Sequence, residues 1–132
     1  NNIKKKQAQE QELQLLKRAV ESSASGITIA DMQKKDQPLT YINPAFEKIT
    51  GYTKEESLGK NCRFLQGKET KEKTKNAIRN CIKQGKEGRF EIVNYTKQGK
   101  KFWNELYLSP VKDKKGKITH YVGVQSDVSY RH

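Results

Sequence analysis

Residues 89–124 contain three stretches in which apolar and polar side chains alternate: Arg89–Tyr95, Lys101–Leu108 and Lys117–Val124. Turns at Gln98-Gly99 and Lys115-Gly116 separate them. A period of two sends successive side chains to opposite faces, and glycine-containing turns this short bring the chain back alongside itself. The pattern therefore predicts a three-stranded antiparallel meander.

The rest of the chain must fit around that meander. Ile27–Ala30 and Leu39–Ile42 read as a hairpin joined by the polar stretch Asp31–Pro38. Asn43 and Pro44 supply a cap and first position for a short helix through Ile49, stopped at Gly51. Thr53 and Glu56 form a capping box for another, ending near Gly59. A longer helix over residues 70–83 has Ala77, Ile78, Cys81 and Ile82 on its apolar face. Residues 1–21 read as a helix with a narrow stripe of Leu13, Leu16 and Val20, suited to the domain surface, to a second copy of the chain or to a connector from an upstream domain. Two strands, several short helices and three strands give an α+β domain: one five-stranded antiparallel sheet covered on one face.

At 132 residues the chain suits a single domain. No run approaches the roughly 18 apolar residues that span a bilayer, so no membrane segment is expected. Two cysteines, Cys62 and Cys81, suit a reducing cytoplasm better than a disulfide scaffold, and the scattered Cys and His residues suggest no metal. The net charge of +12 invites nucleic acid, but only five of the 27 basic residues are Arg. Specific recognition leans on arginine forks and interleaved aromatics, so no specific nucleic-acid partner is expected.

The site is read from "NCRFLQG", residues 61–67. One helical turn starting near Asn61 would place Cys62, Arg63 and Gln66 on one arc. On the strands, alternation aligns Asn94 with Phe90 and Ile92, Asn104 with Leu106 and Leu108, and Gln125 with Tyr121 and Gly123. Three carboxamides on an inner apolar face need partners, and a flat heteroaromatic edge alternating acceptors with an N–H donor would supply them. Gly123 would leave room for such a ring, and Arg63 with Arg79 could grip a phosphate. Each residue taken singly also has an ordinary structural reading, as a cap, a strand end or a surface charge.

"GKNCRFLQG" resembles the signature of light-oxygen-voltage (LOV) domains, the flavin-binding blue-light receptors of the PAS superfamily. "NPAFEKITGY", "NYTKQGKKFWNELYLSP" and "YVGVQSD" continue the likeness in order and spacing over roughly residues 26–128. The resemblance implies a PAS fold, with residues 1–25 as a flanking helix and linker, 26–128 as the photosensory domain and 129–132 as the start of a C-terminal linker. It implies that Cys62 is the photoreactive residue that forms a reversible cysteinyl–flavin C4a adduct. Asn61 and Gln66 would contact the ribityl chain, Arg63 and Arg79 the phosphate, Asn94 and Asn104 the pyrimidine edge, and Gln125 the O4/N5 side, where its amide acts as the signal switch. Leu106 would keep the pocket apolar.

The short connection between Leu65 and Arg79 favours FMN over FAD. Ala30 and Gln37 depart from the Thr and Asn common in the family, which bears on adduct lifetime. The implied partners are the flavin, a second copy through flanking helices, and a fused or associated effector. The domain itself is expected to be no enzyme, although Arg63 beside Cys62 could favour a thiolate. The rival reading is a PAS-type flavin-binding or dimerisation module without light signalling. A catalytic flavoenzyme lacks a nicotinamide site or a convincing acid/base set; His120 reads as strand surface, and Cys81 as core.

Overall fold

A computed structural model describes all 132 residues. Helix α1 (Asn2–Glu21) leads into strands β1 (Gly26–Asp31) and β2 (Leu39–Ile42). Short helices α2 (Pro44–Thr50) and α3 (Lys54–Ser57), a 3-10 turn at Cys62–Leu65 and helix α4 (Glu72–Lys83) follow. Strands β3 (Gly88–Tyr95), β4 (Lys101–Lys112) and β5 (Ile118–Asp127) complete a sheet of order β2-β1-β5-β4-β3, antiparallel throughout. This is the expected five-stranded α+β arrangement.

The capping chemistry sets the middle of the chain. Thr53 accepts from the Glu56 amide while the Glu56 side chain takes the Thr53 amide, forming the capping box. Asn43 does more than begin α2. Its Oδ1 accepts from the backbone amides of Phe46 and Ile27, while its Nδ2 donates to the carbonyls of Val20 and Ser25. One fully buried carboxamide thus joins the end of α1, the start of β1 and the first turn of α2.

Two apolar clusters lie between the sheet and the helices. Leu39, Ile42, Phe46 and Leu65 form one beneath α2 and the 3-10 turn; Ile92, Leu106, Leu108 and Tyr121 form the other beneath α4.

Two expectations change here. Helix α1 buries none of its residues, and Leu13, Leu15 and Leu16 are 56–67% exposed, so it does not lie on the outer face of the sheet. What lies there is the chain after β5. His132 stacks on Trp103 with ring centroids 4.0 Å apart, and Arg131 reaches Glu105 at 2.5 Å and Glu91 at 3.6 Å. Cys81 is only half-buried, set at the α4–β3 turn against Gly88 with its thiol donating to the Lys86 carbonyl.

Candidate flavin-binding site

A cavity of about 410 Å³ lies between α4, the 3-10 turn and the inner face of the sheet. A narrower lobe of about 80 Å³ runs towards β1 and β5 past Leu106 and Gly123, and Asn61 and Cys62 line both.

Asn61 caps the 3-10 turn by accepting from the Arg63 amide at 3.0 Å, and Leu65 is sunk into the core. Those anchors turn Cys62 inward and leave Arg63 exposed. The segment is therefore not the α-helical arc expected for Cys62, Arg63 and Gln66. Gln66 follows the turn in an extended conformation, with φ −76° and ψ 157°, yet all three line the same cavity with Asn61. Gly67 closes the motif for a packing reason: a Cβ there would stand 2.4 Å from the Tyr95 ring, whose hydroxyl accepts from the Glu69 amide.

Cys62 keeps some exposed surface, but its surroundings are dense enough that burial pushes the thiol pKa up to about 11, partly opposed by the neighbouring Gln125 amide. At neutral pH it is a thiol. Arg63 does not promote a thiolate, because its guanidinium is turned to Asp36, 2.7 Å from both carboxylate oxygens. Asp36 and Gln37 are the two non-glycine residues with positive φ, and Asn61 Nδ2 pins that strained loop through the Asp36 carbonyl at 2.8 Å.

The three carboxamides share the inner face. Asn104 Nδ2 donates to Asn94 Oδ1 at 3.0 Å, while Gln125 Nε2 reaches Thr28 Oγ1 only at 3.4 Å. Asn104 and Gln125 are 2% and 1% exposed, and the carbonyl oxygens of both side chains lack a partner. An unpartnered buried acceptor costs about 1–3 kcal/mol, so two on one face mark a place for donors. A flat ring presenting N–H groups fits that need, with Asn94 on the cavity wall.

Gly123 faces inward, but the space it leaves is first taken by protein: a Cβ there would stand 2.6 Å from Thr28 Oγ1. Arg63 and Arg79 both line the mouth, as does a third cation, Lys75, one helical turn before Arg79. Arg79 donates to Asn76 and lies 3.9 Å from Glu72. The i, i+4 relation of Lys75 to Arg79 was the signal that could have found it. Ile78 and Ile82 provide an apolar wall, so the chamber joins an amide-lined face, an apolar face and a cationic mouth. That donor set fits a flavin with a phosphorylated side chain.

Residues 24–129 match the PAS domain family. The chain is 44% identical over 110 residues to phototropin-2 of Oryza sativa subsp. japonica, covering 83% of this chain and 12% of that protein. It is 40% identical over 115 residues to a blue-light photoreceptor of Listeria monocytogenes, covering 87% and 45%. Two solved structures are also similar. An RNA-binding light-oxygen-voltage receptor superposes with TM-score 0.85 at 46% identity, over 89% of this chain and 33% of that one. The LOV domain of the Erythrobacter litoralis EL346 blue-light activated histidine kinase gives 0.77 at 39%, over 80% and 96%. The chain spans less than half the length of those two curated relatives.

Proposed function

The chain belongs to the PAS domain family, in its light-oxygen-voltage branch, and from that premise we propose that it binds FMN, in preference to FAD, and uses Cys62 to register blue light. The observation that carries this reading is a cavity lined by Cys62 against a sheet face on which two buried carboxamide oxygens, of Asn104 and Gln125, lack a partner.

Asn94, Asn104 and Gln125 would hold the polar ring edge, Asn61 and Gln66 the side chain, and Arg63, Arg79 and Lys75 the phosphate. Leu106 and Gly123 would border the ring. A bound flavin supplies the blue absorption and an electrophilic ring carbon, C4a. With flavin bound, Cys62 would contribute both halves of its S–H bond to a reversible cysteinyl–flavin adduct, sulfur to C4a and the proton to N5. Its raised pKa keeps that proton in place beforehand. Gln125 would then meet an N–H in place of an acceptor, and its amide would rotate to present oxygen. This biases β5 and the outer-face contacts of the tail; a few kcal/mol of differential interaction suffices to shift a two-state equilibrium.

The domain itself is read as a sensor and not an enzyme, passing its signal to a fused or associated effector. One relative, the blue-light-activated histidine kinase of Brucella canis, is 41% identical over 111 residues, which cover 23% of its length. The exposed leucines of α1 suit pairing with a second copy. No helix is long and apolar enough to cross a membrane; the free cysteines Cys62 and Cys81 suit a cytoplasmic setting.

The test is the absorption spectrum of FMN-reconstituted protein in darkness and under blue light. The expected result is loss of the blue band with dark recovery, and neither in Cys62→Ala, which still binds FMN. Binding without bleaching in wild type would leave a flavin-holding or dimerisation module. NAD(P)H turnover would point to a flavoenzyme.

A further inference from the structure

Three connections project from one end of the sheet: the β1–β2 loop, the α4–β3 turn and the β4–β5 hairpin. Asp31 pairs with His120, and Met32 donates to the Thr119 carbonyl, which sets the first beside the third. Gly85 lies against the Ile118 side chain, and Tyr121 donates to the Lys86 carbonyl, which brings in the second.

Between them these segments carry eight lysines: Lys34 and Lys35, Lys83 and Lys86, and Lys112, Lys114, Lys115 and Lys117. All eight are exposed and none is in an ion pair. The same segments hold four carboxylates, an excess of four positive charges, and none of them pairs with one of these lysines. Asp31 accepts from the Gln33 amide, and Asp36 holds Arg63. Glu87 takes the Tyr107 hydroxyl, and Asp113 takes the amides of Lys115 and Lys117. At the opposite end Lys97 and Lys101 are paired with Glu56 and Glu69, while Lys100 between them is free.

We infer that this lysine-rich end binds the phosphate backbone of duplex nucleic acid without reading its sequence. Lysine is a hydrated point charge that needs no planar partner. The eight are accompanied by no arginine on these segments and by no exposed aromatic to stack on bases, so base readout is not built in. From β1 to β3 the row spans about 14 Å at ordinary strand spacing. A duplex presents roughly eight charges over that length. A membrane fits less well, since Val111 is the one large exposed apolar residue at the base of the hairpin and nothing supplies the second, inserted anchor that stable attachment needs.

The test is fluorescence anisotropy with two fluorescein-labelled duplexes of about 20 base pairs and unrelated sequence, titrated with FMN-loaded and flavin-free protein over a salt series. The expected result is equal binding of both duplexes at about 50 mM salt, with log K falling against log salt at a slope of about −3 or steeper. Replacing Lys112, Lys114, Lys115 and Lys117 by Gln should weaken binding at least ~10-fold and roughly halve the slope. A charge-matched variant at Lys68, Lys71, Lys73 and Lys100, also exposed and unpaired, should stay within about twofold of wild type. Equal losses in the two variants would reduce the effect to net charge and overturn the assignment, as would absent binding at low salt. Tighter binding to phosphatidylserine-containing vesicles, with the same dependence on the hairpin lysines, would assign the face to lipid and overturn it too. Because flavin-free protein is included, failure of the photochemical reading leaves this result intact.

Discussion

Both carboxylate oxygens of Asp36 lie 2.7 Å from one guanidinium nitrogen of Arg63, across 27 residues of sequence and at the mouth of the cavity. Asp36 therefore competes with any phosphate for that cation. Asp36→Asn should raise affinity for FMN roughly three- to tenfold while leaving riboflavin, which lacks the phosphate, nearly unchanged. Because the pair is more than half exposed, stability should change by less than about 1 kcal/mol. Fluorescence titration of both flavins provides the comparison, and an unchanged FMN-to-riboflavin ratio would remove Arg63 from the phosphate site.

The Cys62 thiol carries a pH signature. Burial raises its pKa from 9.0 to about 11, so between those values the folded protein keeps a proton that the unfolded chain has lost. Stability therefore falls as pH rises through that window and owes nothing to this group below it. Urea unfolding of flavin-free wild type and Cys62→Ala should differ by an amount that is constant up to about pH 9 and shrinks by roughly 2–3 kcal/mol near pH 11. A difference that is constant throughout would show that the sulfur is not shielded from water.

Gly67 is a packing glycine. Gly67→Ala drives a methyl into the Tyr95 ring and should cost about 1–3 kcal/mol in denaturant unfolding. Combining it with Tyr95→Leu should recover at least ~1 kcal/mol relative to the summed single losses. Strict additivity would place the strain elsewhere.

Gln125→Leu should retain FMN but lose the light-induced change in amide hydrogen exchange along β5 and at Ser129–His132. The tail is tied to β4 through Trp103, whose amide donates to Ser129 Oγ at 2.9 Å. Equal light–dark differences in the variant and wild type would exclude the amide as the relay.

Much of the fold was legible because its signals are local. Alternation marked the strands, and Asn43-Pro44 and Thr53 with Glu56 marked helix starts whose caps are present. Strand β4 continues four residues beyond the expected end at Leu108, because Pro110 lies within it and breaks the pattern while Cα pairing with Tyr121 persists. The carboxamide face was legible from period two alone. Less local features were not. The partner of Arg63 lies in a distant loop, the methyl-free space at Gly123 belongs to Thr28 before any ligand, and the four bonds of Asn43 converge from three elements. Nor could the stripe on α1 reveal that the domain leaves it uncovered.

The tie at Asn43 gives α1 the character of a lever. Its twenty residues extend about 30 Å, clamped at one end by a side chain that also accepts from the amide of Phe46, whose ring shares a cluster with Leu65, three residues from Cys62. A tilt of about 10° at that fulcrum would sweep the far tip through roughly 5 Å. Sub-ångström adjustments beneath the 3-10 turn would thereby be geared up into ångström-scale travel at the far tip.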